Sequence, residues 1–132
     1  MKKIFTILFA LLVLTSMAQS ATYYVNATTG NNANLGLSAG SAWKTITYAS
    51  TMAAAADTVN VAAGTYNAAL GEVFPIAVAG QNFVSTTTGM ATIDASTAAS
   101  HVISIGTAST ILNGFTINNA NSGYWPILVN AA

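Results

Sequence analysis

Short segments of alternating apolar and polar residues recur about every two dozen positions along this chain, and that spacing restricts the fold more than any other feature. The segment around Ile93 (ATIDA) matches the segment around Ile117 (FTINN) at an offset of 24. Val59 and Phe83 are again 24 apart, and the segment around Ile103 (HVISI) matches that around Leu128 (WPILV) at an offset of 25. A unit this short cannot bury its own apolar face. It becomes stable by stacking on a like unit, which is how solenoids fold. The pattern therefore predicts an all-β chain, a parallel β-helix whose coils each carry several short strands.

The strand candidates are residues 22–26, 58–62, 73–78, 82–85, 91–94, 101–105, 110–112, 115–118 and 126–129. All are short and separated by turn-forming residues. Pro75 confines its segment to a place where one backbone donor is not needed. Gly64 reads as a turn. Asn113, Asn118, Asn119 and Asn121 fall between strands, where a coil must turn through left-handed backbone that Asn tolerates. One stretch breaks the β pattern. In residues 42–56, Ile46, Ala49, Met52, Ala53 and Ala56 recur at helical spacing, and the alanines favour helix. Ser41 is placed to cap it. The preceding residues 27–41 are dense in Gly, Asn, Thr and Ser and read as a loop.

The amino-terminal segment points to export. Lys2 and Lys3 precede an apolar run from Ile4 to Leu14, broken only by Thr6, and Ser16 and Ala18 then stand as a small-x-small cleavage site. This is the order of a signal peptide. The run is shorter than the roughly 20 apolar residues of a spanning helix. Cleavage after Ala18 or after Ser20 fits. Residues 1–20 are thus expected to be a signal peptide and residues 21–132 the β-helix domain, secreted or held at the cell surface, in an extracellular or periplasmic setting. The domain is expected to be truncated at its C-terminal end, because an apolar strand is followed at once by Asn130, Ala131 and Ala132 and terminal repeats normally differ from internal ones.

Charge excludes several functions. Beyond residue 20 the basic side chains are Lys44 and the lone His101, against Asp57, Glu72 and Asp94, a net charge of −2 with His neutral. Nucleic-acid binding needs clustered Lys and Arg, and so does an anionic membrane surface. Neither partner is expected. There is no cysteine, so no disulfide framework and no thiolate metal site.

Several residues resemble a known family. The run YYVNATTGNNANLGLSAGSAWKTITYAS, then ADTVNVAAGTYN, then FPIAV, resembles the N-terminal module of secreted right-handed parallel β-helix proteins of the pectin-lyase-like group, a family of unknown function. Trp43, Lys44, Thr45 and Ile46 match its aromatic-Lys-Thr-Ile segment. Asp57, Thr58, Val59, Val61, Gly64 and Tyr66 match its strand-turn. The resemblance implies that the helix caps one open end of the β-helix. There are departures. The family's loop carries an acid and a proline where this chain has Asn31 to Gly36, and Ala56 stands where the family has Gly before Asp57. The lyases of the group use calcium held by several acids, with Arg or Lys as base. This chain has no acid cluster and no Arg.

The chemistry-bearing residues give no catalytic centre and imply no metal or other cofactor. Gly36-Leu37-Ser38-Ala39-Gly40 satisfies G-x-S-x-G, with Asp57, Asp94 and His101 following in hydrolase order, but the strand that must precede a nucleophile elbow is replaced by an Asn-rich loop. A single histidine cannot make a His-cluster metal site. Lys44 would act as a base only if buried, and it reads as solvated on the first turn of the helix. The three acids offer no evident facing pair for sugar hydrolysis. Among Tyr23, Tyr24, Trp43, Tyr48, Tyr66, Tyr124 and Trp125, most read as core or strand residues. Tyr124 and Trp125 follow a Gly turn and are the candidate substrate-binding residues. The expected function is a secreted, non-catalytic module that binds an extracellular polysaccharide or serves as a surface scaffold. The alternative is the N-terminal portion of a polysaccharide lyase or glycosidase, with its active site beyond residue 132 on C-terminal parts of the same chain. An ice-binding face would need threonines stacked at coil spacing, and Thr86, Thr87 and Thr88 are contiguous instead.

Overall fold

A computed structural model describes residues 19–107, 109–118 and 123–130. The expected signal segment up to residue 18 lies outside them, as do Asn119 and Asn121. The described elements are β1 (Thr22–Val25), a single 3₁₀ turn (Ala39–Ser41), α1 (Ile46–Met52), β2 (Thr58–Val61), β3 (Gly64–Asn67), β4 (Ile76–Val78), β5 (Asn82–Ser85), β6 (Ala91–Asp94), β7 (Ile103–Ile105), β8 (Ile111–Asn113), β9 (Phe115–Asn118) and β10 (Ile127–Val129).

The strands form three sheets, in the orders β1-β2-β5-β8, β3-β6-β9 and β4-β7-β10, and every pairing is parallel. From β2 onward each strand pairs with the strand three elements later. The chain thus visits the three sheets in turn, three times over. This strand-rich, parallel arrangement with one helix is compatible with a parallel β-helix. Pairing puts side chains of like character over one another. Val59 lies on Phe83 and Phe83 on Leu112. Tyr66 lies on Ile93 and Ile93 on Ile117, while Ile76, Ile103 and Ile127 form a third column. The middle members, Phe83, Ile93 and Ile103, are at most 1% exposed. Parallel strands buried in this way pair backbone to backbone, and the aliphatic columns supply the apolar burial.

The 24-residue offsets of Val59 to Phe83 and Ile93 to Ile117 are registers of the structure. The third match requires correction. Ile103 lies on Ile127, an offset of 24 rather than 25. Strand boundaries also shift. Residues 73–75 are outside β4, with Val73 exposed. Gly64 opens a strand instead of making a turn, its N–H donating to the Met90 carbonyl. Nor do Asn113 and Asn118 make left-handed turns. Asn113 and Asn118 end β8 and β9, and the turn between those strands is made by Gly114 at φ +79°.

The helix is shorter than the alanine pattern predicts. It starts at Ile46, capped by Thr45, whose hydroxyl accepts from the Tyr48 N–H. Ser41 lies in the 3₁₀ turn instead. Trp43 cannot join a helix because it covers the outer edge of β1, and the Ala42 carbonyl accepts from the Asn31 N–H in the loop. The Trp43 N–H donates to the Tyr24 carbonyl, and the Asn26 N–H donates to the Trp43 carbonyl. This protects an edge strand from pairing with another chain. Gly36 lets the loop pass under the Trp43 ring. Its backbone is left-handed at φ +73°, and a Cβ there would come within 2.4 Å of the ring. At the other end, a local side-chain bond and a tertiary bond from the Ala56 N–H to the Gly80 carbonyl override alanine's propensity. The Ala54 N–H is taken by Asp57, and Ala56 is left-handed at φ +70°. Ile46 and Ala49 are buried, and α1 packs against β4 and β1, the edge strands of two sheets. The third edge of that end is β3. At the opposite end the edge strands are β8, β9 and β10, with Ile111, Ile127 and Val129 exposed.

Ala56 occupies a conformation that costs an L-residue about 1–2 kcal/mol. Replacing it by Gly removes that cost and adds about 0.4–1 kcal/mol of unfolded-state freedom. Ala56→Gly is expected to stabilise the chain by about 1 kcal/mol, read as a rise of a few degrees in Tm. A lowered Tm would contradict this account of the turn.

Candidate functional site

The coil offset that stacks β10 on β7 also stacks the residues just before them. His101 precedes β7, Trp125 precedes β10, and they are 24 apart. The Trp125 N–H donates to His101 Nδ1 at 3.0 Å, and the Trp125 carbonyl lies 3.1 Å from the same nitrogen. Accepting from the N–H requires the proton of neutral His101 to sit on Nε2. The Tyr124 ring meets the imidazole edge-on, at a centroid distance of 5.5 Å and 87°. One imidazole thus fixes both residues of the aromatic pair. Gly123 turns the chain into this position at φ +102°. The pair lines a shallow depression with Gly123. Trp125 is 68% exposed and Tyr124 42%. Large rings with a polar handle, exposed in this way, suit contact with a partner or ligand.

The other aromatic candidates lie elsewhere. Trp43 is 2% exposed, stacked on Tyr23 at 4.6 Å and met edge-on by Tyr48 at 5.6 Å. Its indole N–H donates to the Asn34 carbonyl. Tyr66 is wholly buried, and its hydroxyl donates to the Ala62 carbonyl. Burial pushes that phenol up to about 12, with the Glu72 carboxylate adding to the shift and a backbone bond from Ala27 opposing it. These rings are core.

The polar candidates are engaged in holding the chain. Ser38 caps the 3₁₀ turn, accepting from the Ser41 N–H and sharing a hydrogen bond with the Ser41 hydroxyl. His101 and Asp57 are each bonded to other partners, so the G-x-S-x-G motif gains no base and no acid from them. Asn32 Oδ1 accepts from the N–H groups of Lys44 and Thr45, so the loop's asparagine organises the start of the helix. The Lys44 side chain is exposed. Asp57, 6% exposed, accepts from the Ala21 N–H through Oδ1 and from the Ala54 N–H through Oδ2. Asp94 accepts from the Ser96 N–H. Glu72, 4% exposed, accepts from the Ile46 N–H at 2.6 Å through one oxygen. Its other oxygen accepts from the Thr47 N–H and hydroxyl. Each carboxylate therefore serves a different backbone segment. Among the described residues no group of three or more His, Cys, Asp or Glu could hold a metal ion, and no helix is long and apolar enough to cross a membrane.

A family described as "Protein of unknown function (DUF1565)" matches residues 28–92, from the loop after β1 to the first half of β6. No curated protein and no solved structure matches the chain.

Burial raises the Glu72 carboxyl above its ordinary 4.5, against the opposing bonds from Thr47 and Ile46. A raised folded value means that the native state holds the proton more tightly than the unfolded chain. The stability from this group is full below the ordinary value and fades as pH rises through the folded value. Urea melts of wild type and Glu72→Gln across that range should differ in slope, with the variant flatter. Glu72→Ala, which strands the first N–H groups of the helix, is expected to cost about 2–4 kcal/mol. A neutral result would show that water satisfies those donors.

Proposed function

We propose that this chain is an exported, non-catalytic module of the right-handed parallel β-helix type, similar to the pectin-lyase-like proteins, which binds polysaccharide outside the cell or serves as a surface scaffold. The observation that carries the reading is Trp125, 68% exposed and fixed through its backbone by His101. An exposed indole on a backbone already fixed offers an apolar face to the C–H side of a sugar. Tyr124 adds a hydroxyl beside it. The engagement of Asp57, Glu72 and Asp94 with backbone donors supports a non-catalytic role. The scarcity of charge favours a neutral or weakly acidic glycan over a polyanion. The signal-like segment at residues 1–20 supports export.

A second reading draws on the last coil itself, the one that carries Trp125. Ile111, Ile127 and Val129 are exposed on the last coil. Further coils stacked there, as in a polysaccharide lyase or glycosidase, would cover them and carry the acids and the base that these residues lack.

The test uses the two tryptophans. Trp43 is buried and serves as an internal reference, while Trp125 reports ligand. Titration with neutral and acidic polysaccharides should shift the emission of Trp125 to the blue and shield it from acrylamide. Trp125→Ala should weaken binding by about tenfold or more, roughly 1.4 kcal/mol, with an unchanged melt. Equal binding by the variant would move the site elsewhere, and no binding on a broad panel would leave only the scaffold role.

A further inference from the structure

Asp57 has two neutral partners and a buried carboxylate. Its Oδ1 lies 2.7 Å from the Ala21 nitrogen and its Oδ2 lies 2.8 Å from the Ala54 nitrogen, and the residue is 6% exposed. A desolvated carboxylate is held best by a cation at hydrogen-bond distance. Beyond residue 20 the chain has one lysine and no arginine, and Lys44 is exposed. The remaining source of positive charge, apart from His101, is a free chain terminus.

Ala21 is placed to be that terminus. Its carbonyl accepts from the Thr58 N–H, and β1 begins with the next residue. Ala21 is therefore the first residue seated on the sheet. Gln19 and Ser20 are exposed and belong to no element. Ala18 and Ser20 are the small residues that a small-x-small cleavage site requires for a cut between Ser20 and Ala21.

We propose that export processing cuts the chain between Ser20 and Ala21, and that the new α-ammonium of Ala21 forms a buried ion pair with Asp57 that locks β1 to the start of β2. The proposal rests on the export reading above. In the cut, water adds across the peptide bond and the C–N bond breaks. Ser20 leaves as a carboxylate, and the Ala21 nitrogen gains two protons to become an ammonium. One of its N–H groups keeps the existing bond to Oδ1, and the half-buried position leaves the others to solvent. Removal of the leader thus converts the bond of a neutral amide to the Asp57 carboxylate into an ion pair. The folded domain is stabilised only after processing.

The experiment exports the full 132-residue chain from its own amino-terminal segment and reads the recovered protein by N-terminal sequencing and intact mass. A chain beginning at Ala21 is expected. One beginning at Gln19 would overturn the proposal while leaving export standing. One retaining Met1 inside the cell would overturn both. The second measurement is the pH dependence of acylation at the Ala21 amine of the processed protein. The ion pair should raise its pKa by about one unit or more above the ordinary α-amine value near 8, a tenfold slowing at neutral pH. An ordinary value in the wild type would overturn the pairing, whatever Asp57→Asn does. Where Asp57→Asn folds, it should return the amine to the ordinary value.

Discussion

Parallel pairing in register between successive coils is the constraint from which the rest of this structure follows. The side-chain period of a strand is two, so a slip of one residue would turn every aliphatic column out of the core. Register is therefore set by Val59 on Phe83, Tyr66 on Ile93 and Ile76 on Ile103, all buried. The same register reaches beyond the strands. It brings Trp125 over His101, and so a core-packing rule places the exposed aromatic pair. The site owes the seating of Trp125 on His101 to the stack, and Gly123 turns the chain into it.

A stack of coils has two ends, and this chain treats them differently. At one end a seven-residue helix, the Trp43 loop and β1 cover the first coil. A helix that short is not stable alone. It is held by buried polar side chains of other segments. Glu72 meets its first N–H groups, and Gln81 Nε2 donates to the carbonyls of Ala53 and Ser50 at its far end. Asp57 then fixes the exit by holding the Ala54 N–H. Among the described residues no buried side-chain polar atom lacks a hydrogen-bond partner. In a chain with so few charges, two of the three acids serve this cap. At the other end β8, β9 and β10 leave aliphatic residues exposed.

The strands were the legible part of the fold. β5, β6 and β9 coincide with the alternating segments at 82–85, 91–94 and 115–118, because alternation directly encodes which side faces the core. The strand at Gly64–Asn67 was not legible, since a leading glycine reads as a turn and only its partner β6 makes it a strand. The helix was legible as an element and not in its bounds. Composition favours helix through Ala56, but the Ala54 N–H has a better acceptor in Asp57. Tyr124 and Trp125 were legible as exposed aromatics after a Gly turn. The part of His101 was not, although its distance of 24 from Trp125 equals the coil offset.

By itself, the sequence determined a β-rich chain of short strands with one helix, few charges and an amino-terminal segment of signal-peptide pattern. Each of these depends on local order, apolar spacing or charge count, which a linear chain carries directly. Tertiary structure alone decided which carboxylate meets which backbone group, where the helix stops and which ring faces outward. The contacts that decide them include partners 24 to 36 residues apart, as Trp125 with His101 and Ala21 with Asp57 show. Such partners become neighbours only once the coils have stacked.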